Sequence, residues 1–227
     1  MAYVGETRMK LLIIACSVLK NEFLATNPDG VHIEFLEQGL HQTPDKMRLV
    51  IQEKIDEVNS GGFDYILLGY GLCGNGTLGI KARDIPVVIP KAHDCITYWL
   101  GSLERQLQEH NKAPASYYLT KGWVEEAKAP IATFNEYKQR YGAETAEWLI
   151  REMFKNYSRL VLIDTGAYDP DQYRSYAQEN ADFLGTKYEE IQGSLALFDN
   201  LMKGEWEDSR FIIIKPGEEI TQNMFFA

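Results

Sequence analysis

Three cysteines, Cys16, Cys73 and Cys95, are the residues of this chain best suited to chemistry. Each stands at the end of, or a few residues beyond, an apolar run that reads as a β-strand. His93 precedes Cys95 by two positions, and an imidazole and a thiolate so spaced can reach one metal ion where the backbone is extended or turned. Cys16 and Cys73 would complete a set of three or four ligands. Sulfur and imidazole donors suit zinc, whose catalytic sites use three protein ligands and leave a fourth position open. Three thiolates could equally hold three irons of a four-iron cluster and leave one iron for substrate. Asp94, between the two, is placed to orient the imidazole. The plain alternative is three inert core thiols, since free cysteine is among the most buried residue types. Polar and glycine neighbours around Cys73 and Cys95 weigh against it.

Two further loops bear on the site. Gly69-Tyr-Gly-Leu-Cys-Gly74 matches G-x-G-x-x-G after a strand, the pattern of a dinucleotide-binding turn. Only some ten residues, Asn75 to Asp84, separate it from the next strand, too few for the helix such a turn must open. No acidic residue closes a second strand at the required distance. The better use of Gly71, Gly74 and Asn75 is a nest of backbone N–H groups around Cys73, able to hold a thiolate, a sulfide or a bound anion. A glycine loop that merely turns the chain is the competing reading. Asp164-Thr-Gly166 shares three letters with the aspartic-protease loop, but an α/β chain lacks the paired lobes that chemistry needs. Asp164 is then a carboxylate lining the site, with an Asx-type turn as the alternative.

The elements that must position these residues alternate between strand and helix. Apolar runs at Lys10–Ala15, Val31–Leu36, Phe63–Leu68, Ile85–Ile89, Arg159–Ile163 and Phe211–Ile214 read as strands. A helix should start with Thr43 as N-cap and Pro44 at its first position, and stop at Gly61-Gly62. One helical face joins Ile96, Trp99, Leu100, Leu103 and Leu107. Ser116–Leu119 reads as a short strand, Thr133-Phe-Asn-Glu136 as a capping box, and Lys187–Ile191 as a short segment before a helix near Leu195–Met202. Solidly apolar strands alternating with helices imply an α/β fold. Its mostly parallel open sheet would carry helices on both faces, in Rossmann-like layers without a true dinucleotide fingerprint. We expect one domain over residues 1–227, with any subdivision near 111–130. Ligands of such sheets sit beyond the carboxyl ends of the strands, where all three cysteines fall.

Composition narrows the function. With 33 acidic against 23 basic residues, a net charge of −10 disfavours a nucleic-acid binder, which needs a basic face, and docking on anionic lipid. Hydrophobic residues at 45% and charged residues at 25% are the balance of an ordinary soluble globular protein. No apolar run approaches the ~18 residues of a membrane span, and Met1–Thr7 has no secretory pattern. A cytoplasmic location with reduced thiols is therefore expected. The apolar tail Met224-Phe225-Phe226 should pack on its own domain or on a partner, which leaves a homo-oligomer open.

Taken together, Ala15-Cys16, Tyr70-Gly-Leu-Cys-Gly-Asn75, His93-Asp-Cys95, Leu100-Gly-Ser102, Gly122-Trp123 and Asp164-Thr-Gly166 resemble domain of unknown function family 1638, from about Lys10 to Thr221. That family is known mainly from anaerobic bacteria and methanogenic archaea, and its genes often lie beside corrinoid-dependent methyltransferases. The resemblance implies a metalloprotein that performs or supports corrinoid-linked one-carbon transfer. Its metal ligands would be Cys16, Cys73, His93 and Cys95, its partner a small thiol, a methyl donor or a corrinoid protein. His93-x-Cys95 is also similar to the ligand pair of zinc-dependent thiol methyltransferases, although there the lone cysteine follows the pair. Two other readings compete: a non-catalytic partner of a corrinoid protein or its methyltransferase, and a metal-free thiol enzyme with His93 as base.

Overall fold

Strands made only of apolar residues need cover on both faces. The structure, a computed structural model describing residues 3–4, 7–27, 30–58 and 62–226, supplies that cover with helices. A short antiparallel pair, β1 (Tyr3–Val4) and β2 (Thr7–Arg8), precedes β3 (Leu11–Cys16), which is buried at every position. A 3-10 turn over Ser17–Leu19 leads into α1 (Lys20–Ala25). Next come β4 (His32–Leu36), α2 (Pro44–Glu57), β5 (Tyr65–Gly69) and β6 (Val87–Pro90). After α3 (Cys95–Leu100) and α4 (Leu103–Lys112), the chain continues through β7 (Ser116–Leu119), α5 (Lys121–Glu126), α6 (Pro130–Tyr141) and α7 (Ala143–Phe154). The last elements are β8 (Arg159–Asp164), α8 (Asp171–Leu184), β9 (Lys187–Gln192), α9 (Ala196–Lys203) and β10 (Phe211–Ile214).

The fold is α/β with mostly parallel strands, arranged as two sheets. The larger has the order β10-β6-β5-β3-β4, parallel throughout except for β10, which runs antiparallel to β6. The smaller, β7-β8-β9, is wholly parallel. Alternation along β8 ties the two together. Val161 and Ile163 join the main core, while Leu160 and Leu162 join a second cluster with Leu119, Ala177 and Ala181. Of the apolar tail, Phe225 is buried in the main core and Met224 packs against it, while Phe226 is exposed. Among the described residues no helix is long and apolar enough to cross a membrane.

Local differences from the sequence reading have local causes. The face from Ile96 to Leu107 is split between two helices. Gly101 ends α3 in the left-handed conformation, φ +85°, and Ser102 caps α4 by accepting from the Arg105 N–H at 3.1 Å. Pro44 does begin α2, but the Thr43 side chain makes no capping bond, and Gly61 lies outside the described residues. The capping box at Thr133 is not formed, because α6 already starts at Pro130 and the Thr133 hydroxyl bonds back to the Ala129 carbonyl at 3.2 Å. Lys187–Gln192 is a full strand, paired with β8 over its whole length.

Three close contacts position the carboxyl ends of the strands. The loops after β5 and β6 are bonded to each other, the Leu72 N–H to the Ala92 carbonyl at 2.8 Å and the Cys73 N–H to the His93 carbonyl at 2.9 Å. Gly71 permits this, because a Cβ there would lie 2.4 Å from the Ala92 oxygen. Across the two sheets, α5 rests on the turn after β3 so closely that a Cβ on Gly122 would lie 1.9 Å from the Val18 oxygen. Nearby, the fully buried Glu22 of α1 accepts the Thr165 hydroxyl at 3.0 Å with Oε1, and its Oε2 has no partner. Burial pushes its carboxyl up to about 7, against the lowering effect of the Thr165 bond.

Two outcomes follow from these contacts. Gly71→Ala should force the two loops apart, destabilise the protein by about 1–3 kcal/mol, and speed hydrogen exchange at the Leu72 and Cys73 amides. Protection of those amides at the wild-type level would show that the close approach does not hold the loops. Glu22 keeps its proton in the folded chain where the unfolded chain, titrating near 4.5, has lost it. Its contribution is therefore full below about pH 4.5 and declines as pH rises through 7, by about 3 kcal/mol in all. Denaturant unfolding at pH 5 and pH 8 should show that decline in the wild type and a flatter profile in Glu22→Gln, which keeps the acceptor for Thr165.

Candidate functional site

The cysteine loop departs from β5 in a strained turn. Cys73 has φ +47°, Gly74 +62° and Asn75 +71°, a run of left-handed backbone in which two residues carry side chains. Such a conformation costs roughly 1–2 kcal/mol for an ordinary residue, and surrounding structure has to impose it. Here the bonds to Ala92 and His93 do so, with the Thr77 hydroxyl donating to the Gly71 carbonyl at 3.0 Å from within the loop. The expected nest around Cys73 is therefore only partly present. The Leu72 and Cys73 amides are turned to carbonyls of the neighbouring loop, while a Gly71 backbone hydrogen bond favours the Cys73 thiolate. Gly74 lines the cleft described below; Asn75 is exposed and does not.

Cys95 opens α3, and Asp94 is that helix's N-cap. The Asp94 Oδ1 accepts from the Ile96 N–H and from Gln106 Nε2, each at 2.9 Å, and Gln106 also pairs with Thr97 through its other amide atom. Cys16 ends β3, almost fully buried. The three thiols lie close enough to influence one another's ionisation. Burial pushes Cys16 up to about 11 and Cys73 up to about 12, and Cys95 well above its ordinary value. Smaller upward pushes come from Glu126 on Cys16, from Cys16 and Asp94 on Cys73, and from Asp94, Cys16 and Cys73 on Cys95. Near neutral pH all three are neutral thiols.

The imidazole beside them is His41, a residue that the spacing of the H-D-C motif gave no reason to choose. It follows β4 in the 3-10 segment Gln38–Gln42, so it too lies past the carboxyl end of a parallel strand, and that position was the available signal. Its ring stacks on Tyr70 at 5.9 Å and 26°, with Nε2 buried and without a partner. Burial lowers its pKa, opposed by the Asp94 carboxylate. His93 faces elsewhere. Its side chain lines a second cavity, of about 490 Å³, beside Phe226, with ring centres 5.7 Å apart and Nε2 buried and unpartnered. The chain turns from fully extended backbone at Asp94 into α3, which sends Cys95 to the cleft and leaves His93 on the other side. Asp164 also stands apart. Its Oδ1 accepts the Gly166 N–H at 2.9 Å in an Asx turn, and it does not line the cleft.

The cleft itself holds about 360 Å³ between the two sheets. Cys73, Cys95, Asp94 and His41 line the side belonging to the larger sheet, with Trp99 behind them. Tyr117, Tyr118, Trp123 and Tyr157 form the opposite wall. The donors gathered here are soft, as zinc or an iron–sulfur cluster prefers. Their positions are not those of a coordination sphere: among the described residues no group of three or more His, Cys, Asp or Glu side chains could hold a metal ion as it stands. The set of Cys16, Cys73, His93 and Cys95 is not assembled, and the turned-away His93 is one physical reason.

No curated protein and no solved structure matches this chain. A family model described as "Protein of unknown function (DUF1638)" matches residues 35–202, a span that takes in His41, Cys73, Asp94, Cys95 and the aromatic wall and begins after Cys16. The chain belongs to that family.

Proposed function

We propose that the cleft handles a small molecule through the thiols of Cys73 and Cys95, with Cys16 behind them and His41 as the proton acceptor, in support of one-carbon transfer linked to a corrinoid system. The observation that supports the site is that Cys73 and Cys95, which follow two separate strands, line one cavity, with Cys16 buried within electrostatic reach of both. The strained backbone at Cys73 supports it, since such strain gathers at working sites. The reaction class rests on the family resemblance, and sulfur is a chemically suitable acceptor. In that step the new S–C bond forms as the donor leaves with the old bonding pair, and the thiol proton passes to the unpartnered Nε2 of His41.

As they stand the thiols are poor nucleophiles, because burial keeps them protonated. No lysine or arginine lines the cleft among the described residues. A positive charge brought in from outside would favour the thiolates, so that binding and activation become one event. A metal would supply such a charge and a Lewis acid, held by the cysteines and His41. The donor chemistry fits that role and the present positions do not, so the thiol reading stands without it.

Site-resolved alkylation by iodoacetamide, read by mass spectrometry, tests whether the thiols form one centre. At pH 8, Cys73 should react about two to three orders of magnitude more slowly than free cysteine, and faster as pH approaches 12, and Cys95 should also react more slowly than free cysteine. Cys95→Ser should change the alkylation rate at Cys73. With a methylated corrinoid protein as donor, S-methylcysteine should appear at a cleft cysteine as cobalt-bound methyl is lost. Free-thiol rates at pH 8, or a Cys73 rate indifferent to Cys95→Ser, would remove the shared site, and loss of the cobalt methyl with no sulfur methylated would remove the transfer.

A further inference from the structure

The wall opposite the thiols has its own chemistry. Within it Trp123 and Tyr117 meet at 6.4 Å and 83°, and Tyr117 and Tyr157 at 5.7 Å and 78°, while Trp99, from the thiol side, meets Trp123 at 6.2 Å and 86°. Each ring stands nearly perpendicular to the next, so the series turns corners instead of stacking flat, and all four rings line the cleft. One corner is fixed by the Trp123 indole N–H, which donates to the Tyr117 hydroxyl at 2.9 Å. Aromatic faces carry the negative side of the ring quadrupole and attract cations. We propose that this wall is a cage for a small organic cation with a diffuse, weakly hydrated charge, of the quaternary ammonium or sulfonium class, seated beside Cys95. The proposal rests on the reading of the cleft as the place where a small molecule meets the thiols.

The electrostatics select the sign of the guest. Among the described residues the cleft lining has Asp94 and no lysine or arginine. Arg159, the cation at the Ser116 end, is already held by Glu109 at 3.1 Å, Glu189 at 2.6 Å and the Ser116 hydroxyl at 2.7 Å. An anion would meet Asp94 and the ring faces with no positive group to receive it. The net charge of −10 draws cations toward the protein.

Hydrogen-bond capacity selects the kind of cation. A primary ammonium needs acceptors to replace its water. The Asp94 Oδ1 already accepts two hydrogen bonds, and the Tyr117 hydroxyl accepts from Trp123 while donating to the Lys128 carbonyl at 3.4 Å, which leaves the unpartnered His41 Nε2, on the thiol side and away from the ring corners, as a free acceptor. A methylated onium ion asks for no hydrogen bonds and gains from ring faces and burial. Its position also matters for the sulfur. A thiolate at Cys95 would raise the pKa of Tyr117, so thiol and ring wall lie within electrostatic reach of each other. A cation in the cage would therefore favour the Cys95 thiolate.

Calorimetric titration of the full chain with tetramethylammonium chloride, alongside tert-butanol as a neutral molecule of similar shape, tests the cage. Tetramethylammonium should bind saturably, at least about 10-fold more tightly than tert-butanol, and should speed alkylation of Cys95 at pH 8. Trp123→Leu and Tyr157→Leu should each weaken it by about 5–30-fold, the range of one desolvated cation–π contact. Tyr157 is at the cleft edge, so its variant serves if Trp123→Leu does not fold. Absence of saturable binding, equal affinity for the two probes, or wild-type affinity in a folded Tyr157→Leu would overturn the proposal. The thiol measurements separate the two readings. Coupled thiols without tetramethylammonium binding remove the cage alone, whereas binding to a protein whose cysteines react independently removes the thiol centre alone.

Discussion

Parallel pairing of β3 with β5, and of β5 with β6, makes three loops leave the larger sheet at one edge. Strands about 4.8 Å apart then deliver residues far apart in sequence into one neighbourhood. Cys16, Cys73 and Cys95 owe their meeting to that arrangement, and His41 arrives by the same route from β4. What the sheet does not fix, backbone contact does. The bonds from Leu72 and Cys73 to the Ala92 and His93 carbonyls join two of these loops and hold Cys73 in a conformation it would not choose alone.

The second sheet adds a wall of different character. Thiols and a carboxylate line one side of the cleft and aromatic rings the other, so a bound molecule experiences polarizable sulfur on one flank and ring faces on the other. Burial governs both sides. It keeps the cysteines protonated, lowers the basicity of His41 and leaves the His41 Nε2 and the Trp99 indole N–H without partners. Buried groups in that state are costly to maintain, and a ligand that met them would recover part of the cost.

Much of the architecture was legible in the chain because buried parallel strands are nearly pure apolar runs, as at Leu11–Cys16 and Arg159–Asp164. The division into two sheets was not, because strand partners depend on contacts distant in sequence; Lys187–Ile191, with its polar side chains, reads only as a short segment, and pairing with β8 makes it a strand. In the site, the cysteines were visible by their places after strands. His93 lines a different cavity from Cys95, because spacing along a chain does not say which way a side chain points. His93 and Cys95 are two residues apart, yet a turn into a helix between them puts their side chains in separate cavities. The aromatic wall was hidden for a further reason: Tyr117, Trp123 and Tyr157 come from a strand, a helix and a loop, and look like ordinary packing one at a time.

The contact of Gly122 with the Val18 carbonyl sets the spacing between these two walls. The turn after β3 carries Val18, which lines the cleft, and α5 carries Trp123, so the backbones of both sides touch within one residue of the space they enclose. Any side chain at Gly122 would act as a shim, prising the ring wall from the sulfurs and widening the gap. The gauge of the cleft, and with it the largest guest that can touch both walls at once, is set by one missing carbon atom.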